Sequence, residues 1–372
     1  MRTRRNPMLR TLTTALSLAA MMNAALACTA VDIVAADRTV IAGRTMEWAF
    51  DMKWTLVSRP KGFPVKLTAP KALNLPERTV EAKYALVGVS ANIIPGGALV
   101  EGQNAAGLGM SGNFLPGFTT YQTVTPQDKN YVEVLSFGAW ALGNFATIAE
   151  VKEALKTTKV WSDPSAASGP TAPLMHFVFT DRAGASIIVE YVEGELHIHD
   201  NVAHVLTNAP TYDWHLTNLR NYLNLSTVGV EQRQIGNVDV TALGQGGGLV
   251  GLPGDYTPPS RFVRASALRH GMTPPKDGAE AVQAVVHVLN TVDIPVGVAQ
   301  SRLPNGQLVS DYTQWVSIKD LTNNRLQIAD YAHRTSYLTI DLAPLFALDK
   351  PAERLITDLP YPAGVGADVL KP

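Results

Sequence analysis

The sequence predicts a layered α+β fold with largely antiparallel sheets. Strand-like segments come first, helical segments follow, and strands return near the carboxyl end, an order typical of α+β proteins rather than of repeated β–α–β units. Short turns connect neighbouring strand segments, as antiparallel pairing allows. The chain has no linker rich in Ser and Pro and no break in composition, so we expect a single domain over 28–372.

The first half of the chain contains most of the predicted strands. Residue type and turn signals favour strands at 29–35, 39–47, 84–91, 98–101 and 108–114, and a three-stranded meander over 174–201. Helices are predicted over 131–142 and 147–155. The proline- and lysine-rich stretch 53–76 is predicted to be irregular.

In the second half, helices are predicted over 212–223, from Pro258 to just before Gly271, and over 279–289. Asp277 and Glu280 form a plausible capping pair for the last of these helices. Strands return at 312–318, 325–330 and 336–342.

The first two strands should form a hairpin. If its centre falls between Asp37 and Arg38, Glu47 lies opposite Cys28 and Arg44 lies opposite Val31. Arg44 and Glu47 are three residues apart, so a regular strand sends them to opposite faces. Both would reach the amino end of the first strand only through a bulge, for which Gly43 is the candidate.

Residues 1–27 have the features of an export signal. Four arginines precede an apolar run from about residue 12 to residue 25, and Ala25 and Ala27 fit the small-residue rule for cleavage. The run is too short and too interrupted by Ser and Thr for a membrane anchor. We therefore expect a periplasmic or secreted protein without stable membrane association.

Charge argues against a nucleic-acid partner. The leader contains four of the 31 basic residues and none of the 32 acidic residues, so its removal would leave a net charge of −5. A nucleic-acid-binding domain would instead show a basic surface. The expected partner is a small molecule.

Cys28, the single cysteine of the chain, follows the predicted cleavage site. Cleavage after Ala27 would place a thiol and a free α-amine on one residue, and an α-amine with a reference pKa of about 7.7–8 can accept the thiol proton. Two alternatives stay open: a buried apolar thiol, or a lipid anchor. Anchored proteins usually have leucine three residues before the cysteine, where this chain has Ala25.

Four other polar side chains are candidates for the same site. Arg44 could stabilise a thiolate, Glu47 could hold the terminal amine, and Asn208 could donate its amide N–H to an oxyanion. Arg261 stands at a helix start, where positive charge is unfavourable, which suggests a specific task. Asn113 is ambiguous, and each of these residues could equally be a solvated, turn or capping residue.

Two further patterns are weaker indications of function. The glycine-rich segment 244–248 lacks a surrounding strand–loop–helix unit and is predicted to be a loop. His197 and His199 share one strand face, but no third ligand follows at a recognisable spacing. We expect no metal and no organic cofactor.

Six segments together resemble the choloylglycine hydrolase family, which contains penicillin V acylases and conjugated bile salt hydrolases. They are Cys28, GRTMEW at 43–48, NAAGL at 104–108, LTNAP at 206–210, YDWHLTNLRNY at 212–222 and GLPGDYTPPSRFVR at 251–264. The similarity spans essentially the whole chain after the leader.

The resemblance implies the αββα sandwich of N-terminal nucleophile hydrolases. It also implies Cys28 as nucleophile, Arg44 and Arg261 around the thiolate, and Asn208 in the oxyanion hole. The family usually has aspartate where this chain has Glu47. A second oxyanion position falls at Asn113 or Phe114, and Trp48 and Phe114 are candidate walls of an apolar acyl pocket.

The leader and Trp48 are similar to the exported Gram-negative branch, which contains penicillin V acylases and enzymes that cleave N-acyl homoserine lactones. The predicted function is therefore hydrolysis of a linear carbon–nitrogen amide bond, with conjugated bile salts as alternative substrates. Family members are often homotetramers. The competing prediction from another class is a lipid-anchored binding protein without enzymatic activity.

Overall fold

The computed structural model describes residues 27–94, 97–163, 173–303 and 305–363. The predicted leader, apart from Ala27, lies outside the described residues. Within these ranges, no helix combines the length and the apolar character needed to cross a membrane.

The described residues form 21 strands and six α-helices. In chain order the strands are β1 (Cys28–Val34), β2 (Val40–Trp48), β3 (Trp54–Arg59), β4 (Pro64–Leu67), β5 (Arg78–Glu81), β6 (Leu86–Ala91), β7 (Leu99–Asn104), β8 (Gly109–Phe114), β9 (Tyr131–Glu133), β10 (Lys159–Trp161), β11 (Met175–Thr180), β12 (Ser186–Val192), β13 (Glu195–Asp200), β14 (Val205–Leu206), β15 (Gln232–Ile235), β16 (Val238–Thr241), β17 (Ala299–Arg302), β18 (Leu308–Asp320), β19 (Arg325–Asp330), β20 (Leu338–Asp341) and β21 (Ala352–Leu355). The helices are α1 (Val134–Asn144), α2 (Ile148–Leu155), α3 (Tyr212–Asn218), α4 (Pro258–Gly271), α5 (Gly278–Asn290) and α6 (Ala343–Phe346).

Two antiparallel sheets form the centre of the fold. The first has the order β14-β1-β2-β18-β19-β20, with β17 also paired to β18. The second has the order β13-β12-β11-β8-β7-β6-β3-β21. Because sequentially distant strands are neighbours, residues far apart in the chain meet across each sheet.

Helices cover the outer faces of both sheets, which gives the predicted αββα layers. On the first sheet, Val285 and Leu289 of α5 share a buried cluster with Val316 of β18. On the second sheet, Phe137 of α1 packs against Phe177, with ring centroids 4.7 Å apart. A third apolar cluster, which includes Cys28, lies between the sheets. The predicted fold class is confirmed.

Three parts of the predicted secondary structure were wrong. The predicted helix 131–142 begins only at Val134, because its first three residues pair with β10 as a parallel strand. The stretch 53–76, predicted to be irregular, contains β3 and β4. The exposed hairpin of β15 and β16 was not predicted.

The predicted register of the first hairpin was wrong by one residue. Cys28 lies opposite Met46 rather than Glu47, and Arg44 lies opposite Ala30. Ala35 pairs with Thr39, so the hairpin centres on Asp37 rather than between Asp37 and Arg38, and its three-residue turn closes with Arg38 at a φ of 75°. Three-residue hairpin loops commonly end in such a left-handed residue.

The predicted bulge at Gly43 was also wrong, because β2 pairs regularly with β1 through this residue. The register shift lies instead on β18, between Thr313 and Trp315. Gly43 has a packing role: a Cβ there would come within 2.4 Å of Val285 Cγ1 on α5. The missing side chain therefore allows the helix to lie close to the sheet.

Candidate active site

Cys28 begins β1 and lines a pocket between the two sheets, and the residue is only 1% exposed. Residues that directly oppose each other in an antiparallel pair point to the same face, so Cys28 shares a face with Met46 and, two residues along, with Arg44. The pocket walls are mainly apolar and aromatic: Met46, Trp48, Met52, Trp54, Phe114 and Met175. Both candidate wall residues named from the sequence, Trp48 and Phe114, are present, edge to face with centroids 5.4 Å apart.

Arg44 contacts the sulfur directly. Its Nη2 lies 3.3 Å from Cys28 Sγ, and its Nη1 donates to the carbonyl of Val100 at 2.7 Å. The guanidinium also lies over the Trp315 ring, 5.3 Å from the centroid. Arg44 is fully buried. The guanidinium therefore places a buried positive group beside the sulfur.

Asn208 and Arg261 contact the backbone of Cys28. Asn208 Oδ1 accepts from Cys28 N at 2.7 Å and from Arg261 Nη2 at 2.8 Å. Its Nδ2 donates one hydrogen to the carbonyl of Phe114 at 2.8 Å, and an amide nitrogen carries a second hydrogen. Arg261 Nη1 donates to Cys28 O at 2.6 Å and to Thr29 Oγ1 at 2.7 Å. Arg261 therefore holds the backbone of Cys28 rather than its sulfur.

Asn113 lies directly before Phe114, and the structure separates the two side chains. Asn113 Nδ2 donates to the carbonyls of Leu206 at 3.2 Å and Thr207 at 2.8 Å. Its amide thus ties β8 to the segment that presents Asn208. Phe114 contributes its ring to the pocket.

Glu47 lies on the opposite face of β2 from Arg44. Its Oε1 accepts from Thr313 Oγ1 at 2.6 Å, and its Oε2 has no hydrogen-bond partner among the described residues. Its backbone N donates to the carbonyl of Ala27 at 3.0 Å, so it stands beside the peptide bond that precedes Cys28. Burial raises the pKa of Glu47 to about 7, and the charge of Arg261 opposes this rise.

No group of three or more His, Cys, Asp and Glu side chains in the described ranges is arranged to hold a metal ion. His197 and His199 stack with centroids 6.3 Å apart. His199 also approaches Glu190, with Nε2 3.7 Å from Oε2. The pair thus lies on β13, at the edge of the second sheet.

Three buried polar residues near the site were missed from the sequence: Glu101, Gln314 and Lys319. Each lies within a strand otherwise rich in buried residues. Charged or amide side chains within or directly after a predicted strand were the available signal, since such groups are rarely buried without partners.

Gln314 holds one wall of the pocket. Its Oε1 accepts from Trp54 Nε1 at 2.6 Å, and its Nε2 donates to the carbonyls of Trp48 at 2.8 Å and Phe50 at 3.0 Å. The register shift on β18 falls at this residue. One amide therefore fixes the two tryptophans that line the pocket.

Replacing Gln314 with Leu is expected to raise KM about tenfold with a smaller change in kcat, because buried hydrogen bonds worth about 1 kcal/mol each are lost from the wall and not from the reacting groups. Steady-state kinetics on any hydrolysed amide measures this. Gln103→Leu is the matched control, since buried Gln103 makes only 3.4 Å contacts, to Asp320 O and Asn324 Oδ1. An unchanged KM in Gln314→Leu would contradict the assignment.

An αββα sandwich with a cysteine at the start of a central strand, beside a buried arginine and asparagine, is the arrangement of an N-terminal nucleophile hydrolase. Residues 28–341 match the profile of "Linear amide C-N hydrolases, choloylglycine hydrolase family". The chain belongs to this family and is an enzyme of the amidase class.

Individual relatives agree with this assignment. The bile salt hydrolase/transferase of Clostridium perfringens is 34% identical over 291 residues, which cover 78% of this chain and 85% of that protein. The penicillin V acylase of Pectobacterium atrosepticum is 27% identical over 297 residues, which cover 75% of this chain and 71% of that protein.

Solved structures show the same fold. A mutant of the conjugated bile acid hydrolase from Clostridium perfringens superposes with a TM-score of 0.76 at 30% identity, covering 88% of this chain and 96% of that one. The penicillin V acylase from Agrobacterium tumefaciens gives a TM-score of 0.67 at 23% identity, covering 85% and 86%. The second likeness concerns the fold alone.

Proposed function

We propose that this enzyme is an exported amidase in which removal of 1–27 makes Cys28 an N-terminal nucleophile. The observation that carries the proposal is the placement of Cys28 Sγ 3.3 Å from Arg44 Nη2, at the edge of an apolar pocket. A periplasmic or secreted location is part of the proposal, and the leader pattern in the sequence supports it.

The reaction follows from the groups around Cys28. The α-amine accepts the thiol proton, and the thiolate attacks the amide carbonyl of the substrate to form a tetrahedral intermediate. The second hydrogen of Asn208 Nδ2 and a backbone N–H near Phe114 stabilise the oxyanion. The ammonium then protonates the leaving amine, the carbon–nitrogen bond breaks, and a thioester remains. Water attacks the thioester with the amine as base, which releases the acid and regenerates the thiol.

Glu47 has a place in this scheme. Its backbone N donates to the carbonyl of Ala27, and its buried Oε2 has no hydrogen-bond partner among the described residues. Cleavage of the peptide bond between Ala27 and Cys28 would create an ammonium on the neighbouring strand to this carboxylate, whose second oxygen is free to accept from it. We assign Glu47 to holding this ammonium, the task that aspartate has in the family. Pairing would also relieve the cost of burying the carboxylate, which raises its pKa to about 7 in the uncleaved chain.

For the substrate, we propose an amide with an apolar acyl part, of the penicillin V or N-acyl homoserine lactone type. The aromatic and sulfur-containing walls of the pocket support this. Conjugated bile salts are the second candidate. The chain is more similar to a bile salt hydrolase/transferase, at 34% identity, than to a penicillin V acylase, at 27% identity, and this difference supports the second candidate.

Two measurements on the exported protein test the proposal. Intact mass and N-terminal sequencing should show a chain that begins at Cys28 with an unmodified thiol. A chain that begins elsewhere lacks the proposed base, and a mass increase of lipid size would make Cys28 an anchor. Hydrolysis of penicillin V, acyl homoserine lactones of several chain lengths and glycine- or taurine-conjugated bile acids then compares the substrate classes. Turnover of bile acids alone would replace the first candidate with the second.

A further inference from the structure

A cluster of three buried charges lies between the two sheets, next to the nucleophile. Arg44 of β2, Glu101 of β7 and Lys319 of β18 are 0%, 1% and 1% exposed. These strands belong to two different sheets, so the cluster crosses the interface. Burying three charges is costly unless each is paired, and a cluster of this kind is therefore a candidate for a specific task.

Glu101 is the link between the two cations. Its Oε2 lies 3.7 Å from Arg44 Nη1, and its Oε1 accepts hydrogen bonds from Lys319 Nζ and from Ser317 Oγ, the latter at 3.0 Å. Lys319 Nζ also donates to Ser111 Oγ at 3.0 Å. The contacts form one path from Cys28 Sγ through Arg44 and Glu101 to Lys319.

The net charge of this path sets the electrostatic potential at the sulfur of Cys28. Arg44 and Glu101 by themselves sum to zero, so the carboxylate would offset most of the effect of the guanidinium on the thiolate. Lys319 restores a net charge of +1 and engages the oxygen of Glu101 that faces away from Arg44. In a buried site such charges are poorly screened.

We propose that Lys319 is a positioning residue of the active site, which holds and neutralises Glu101 so that the positive charge of Arg44 acts on Cys28. This rests on the proposed function of Cys28 as nucleophile. Lys319 binds Glu101, which pairs with Arg44, and its charge acts on Cys28 across this cluster rather than by contact with the sulfur.

Other titratable groups face the same region. Arg261 of α4 contacts the carbonyl of Cys28, and Glu47 lies on the far face of β2, where Asp311 of β18 adds a second acidic group. Burial lowers the pKa of Lys319, and the charge of Glu101 opposes this. The charge of Asp32 of β1 raises the pKa of Lys319, whereas the charge of Arg44 lowers it. The terminal amine of Cys28 is common to every variant compared below.

The test compares the mature enzyme with Lys319→Met, Glu101→Gln and the double variant. Each protein is treated with iodoacetamide across pH 5–10, and the rate of thioether formation is followed by mass. Because the chain has a single cysteine, the label reports Cys28 alone. Lys152→Met is the control, since Lys152 pairs with Asp200 at the surface.

We expect opposite shifts of the pH midpoint of alkylation. Lys319→Met should raise the midpoint by roughly one pH unit, because the cluster loses a positive charge, and Glu101→Gln should lower it by a similar amount. The double variant should return towards the unmodified enzyme, and Lys152→Met should not differ from it. A role in packing alone would lower rates in both single variants without moving the midpoints in opposite directions.

Midpoints that are unchanged, or that move in the same direction in both single variants, would overturn the proposal. If Lys319→Met does not fold, Glu101→Gln and the double variant still differ only in the charge at residue 319. Equal midpoints in these two proteins would then overturn it. Alkylation needs no substrate, so opposite shifts in an enzyme that hydrolyses none of the tested amides would retain this inference and reject the proposed function.

Discussion

Replacing Cys28 with Ala is expected to abolish amide hydrolysis, with kcat lowered by at least about 10⁴-fold. The change removes the proposed nucleophile, and no second cysteine exists to replace it. Cys28→Ser should also lose turnover, since a serine hydroxyl is a far weaker nucleophile than a cysteine thiolate. Steady-state assays on the best substrate of the mature enzyme measure both variants.

The control for this experiment is a measurement of whether the Cys28 variants keep the native fold. Cys28 lies in a cluster of apolar residues, and the loss of one sulfur should leave a cooperative thermal transition close to that of the unmodified enzyme. Full activity in Cys28→Ala would reject the nucleophile assignment. Loss of activity together with loss of the native fold would require the less perturbing Cys28→Ser variant to decide.

Replacing Asn208 with Ala is expected to lower kcat by about 10²–10³-fold, the usual effect of removing one oxyanion donor. Asn208→Asp is the informative partner. It keeps an oxygen that can accept from Cys28 N and Arg261 Nη2 but lacks the N–H donors. If stabilising the oxyanion is the main task of Asn208, both variants lose kcat while the thiol still reacts with iodoacetamide.

The opposite outcome has a clear meaning. Near-normal kcat in Asn208→Asp, with a large loss in Asn208→Ala, would show that Asn208 acts mainly as an acceptor that orients the backbone of Cys28 and the side chain of Arg261. The oxyanion would then depend on backbone donors near Phe114. Asn113→Ala tests the support of this segment separately, because Asn113 holds the carbonyls of Leu206 and Thr207.

Local signals in the sequence were sufficient for much of the fold. The change from period-2 to period-3.6 patterns gave the strand–helix–strand order, and the cap of α5 is formed as expected, with Asp277 Oδ1 accepting from Glu280 N at 2.9 Å. The position of Cys28 after a small-residue cleavage pattern, and the resemblance of the segments around Arg44, Asn208 and Arg261, identified the elements that meet at the site. These features depend on neighbouring residues or on long motifs, which a single sequence displays.

The register of the first hairpin and the register shift on β18 could not be predicted from local sequence signals. The first turn centres on Asp37 and ends in a left-handed Arg38, and this centre decides which residue faces Cys28. The register shift on β18 depends on pairing with β2, 266 residues away in sequence between Gln314 and Trp48. Neither the turn geometry nor the register shift has a local sequence signature, because many residue types are compatible with either arrangement.

The sequence by itself determined the class of fold and the amidase family, and it predicted Cys28 as the nucleophile. Only the tertiary structure decided that Arg44 reaches the sulfur while Arg261 holds the backbone, and that Glu47 lies on the opposite face of the strand. It also decided that Glu101 contacts Arg44 and that Lys319 contacts Glu101. The physical reason is that hydrogen bonds and ion pairs between two packed sheets join residues more than 200 positions apart, and their geometry exists only once both sheets have formed.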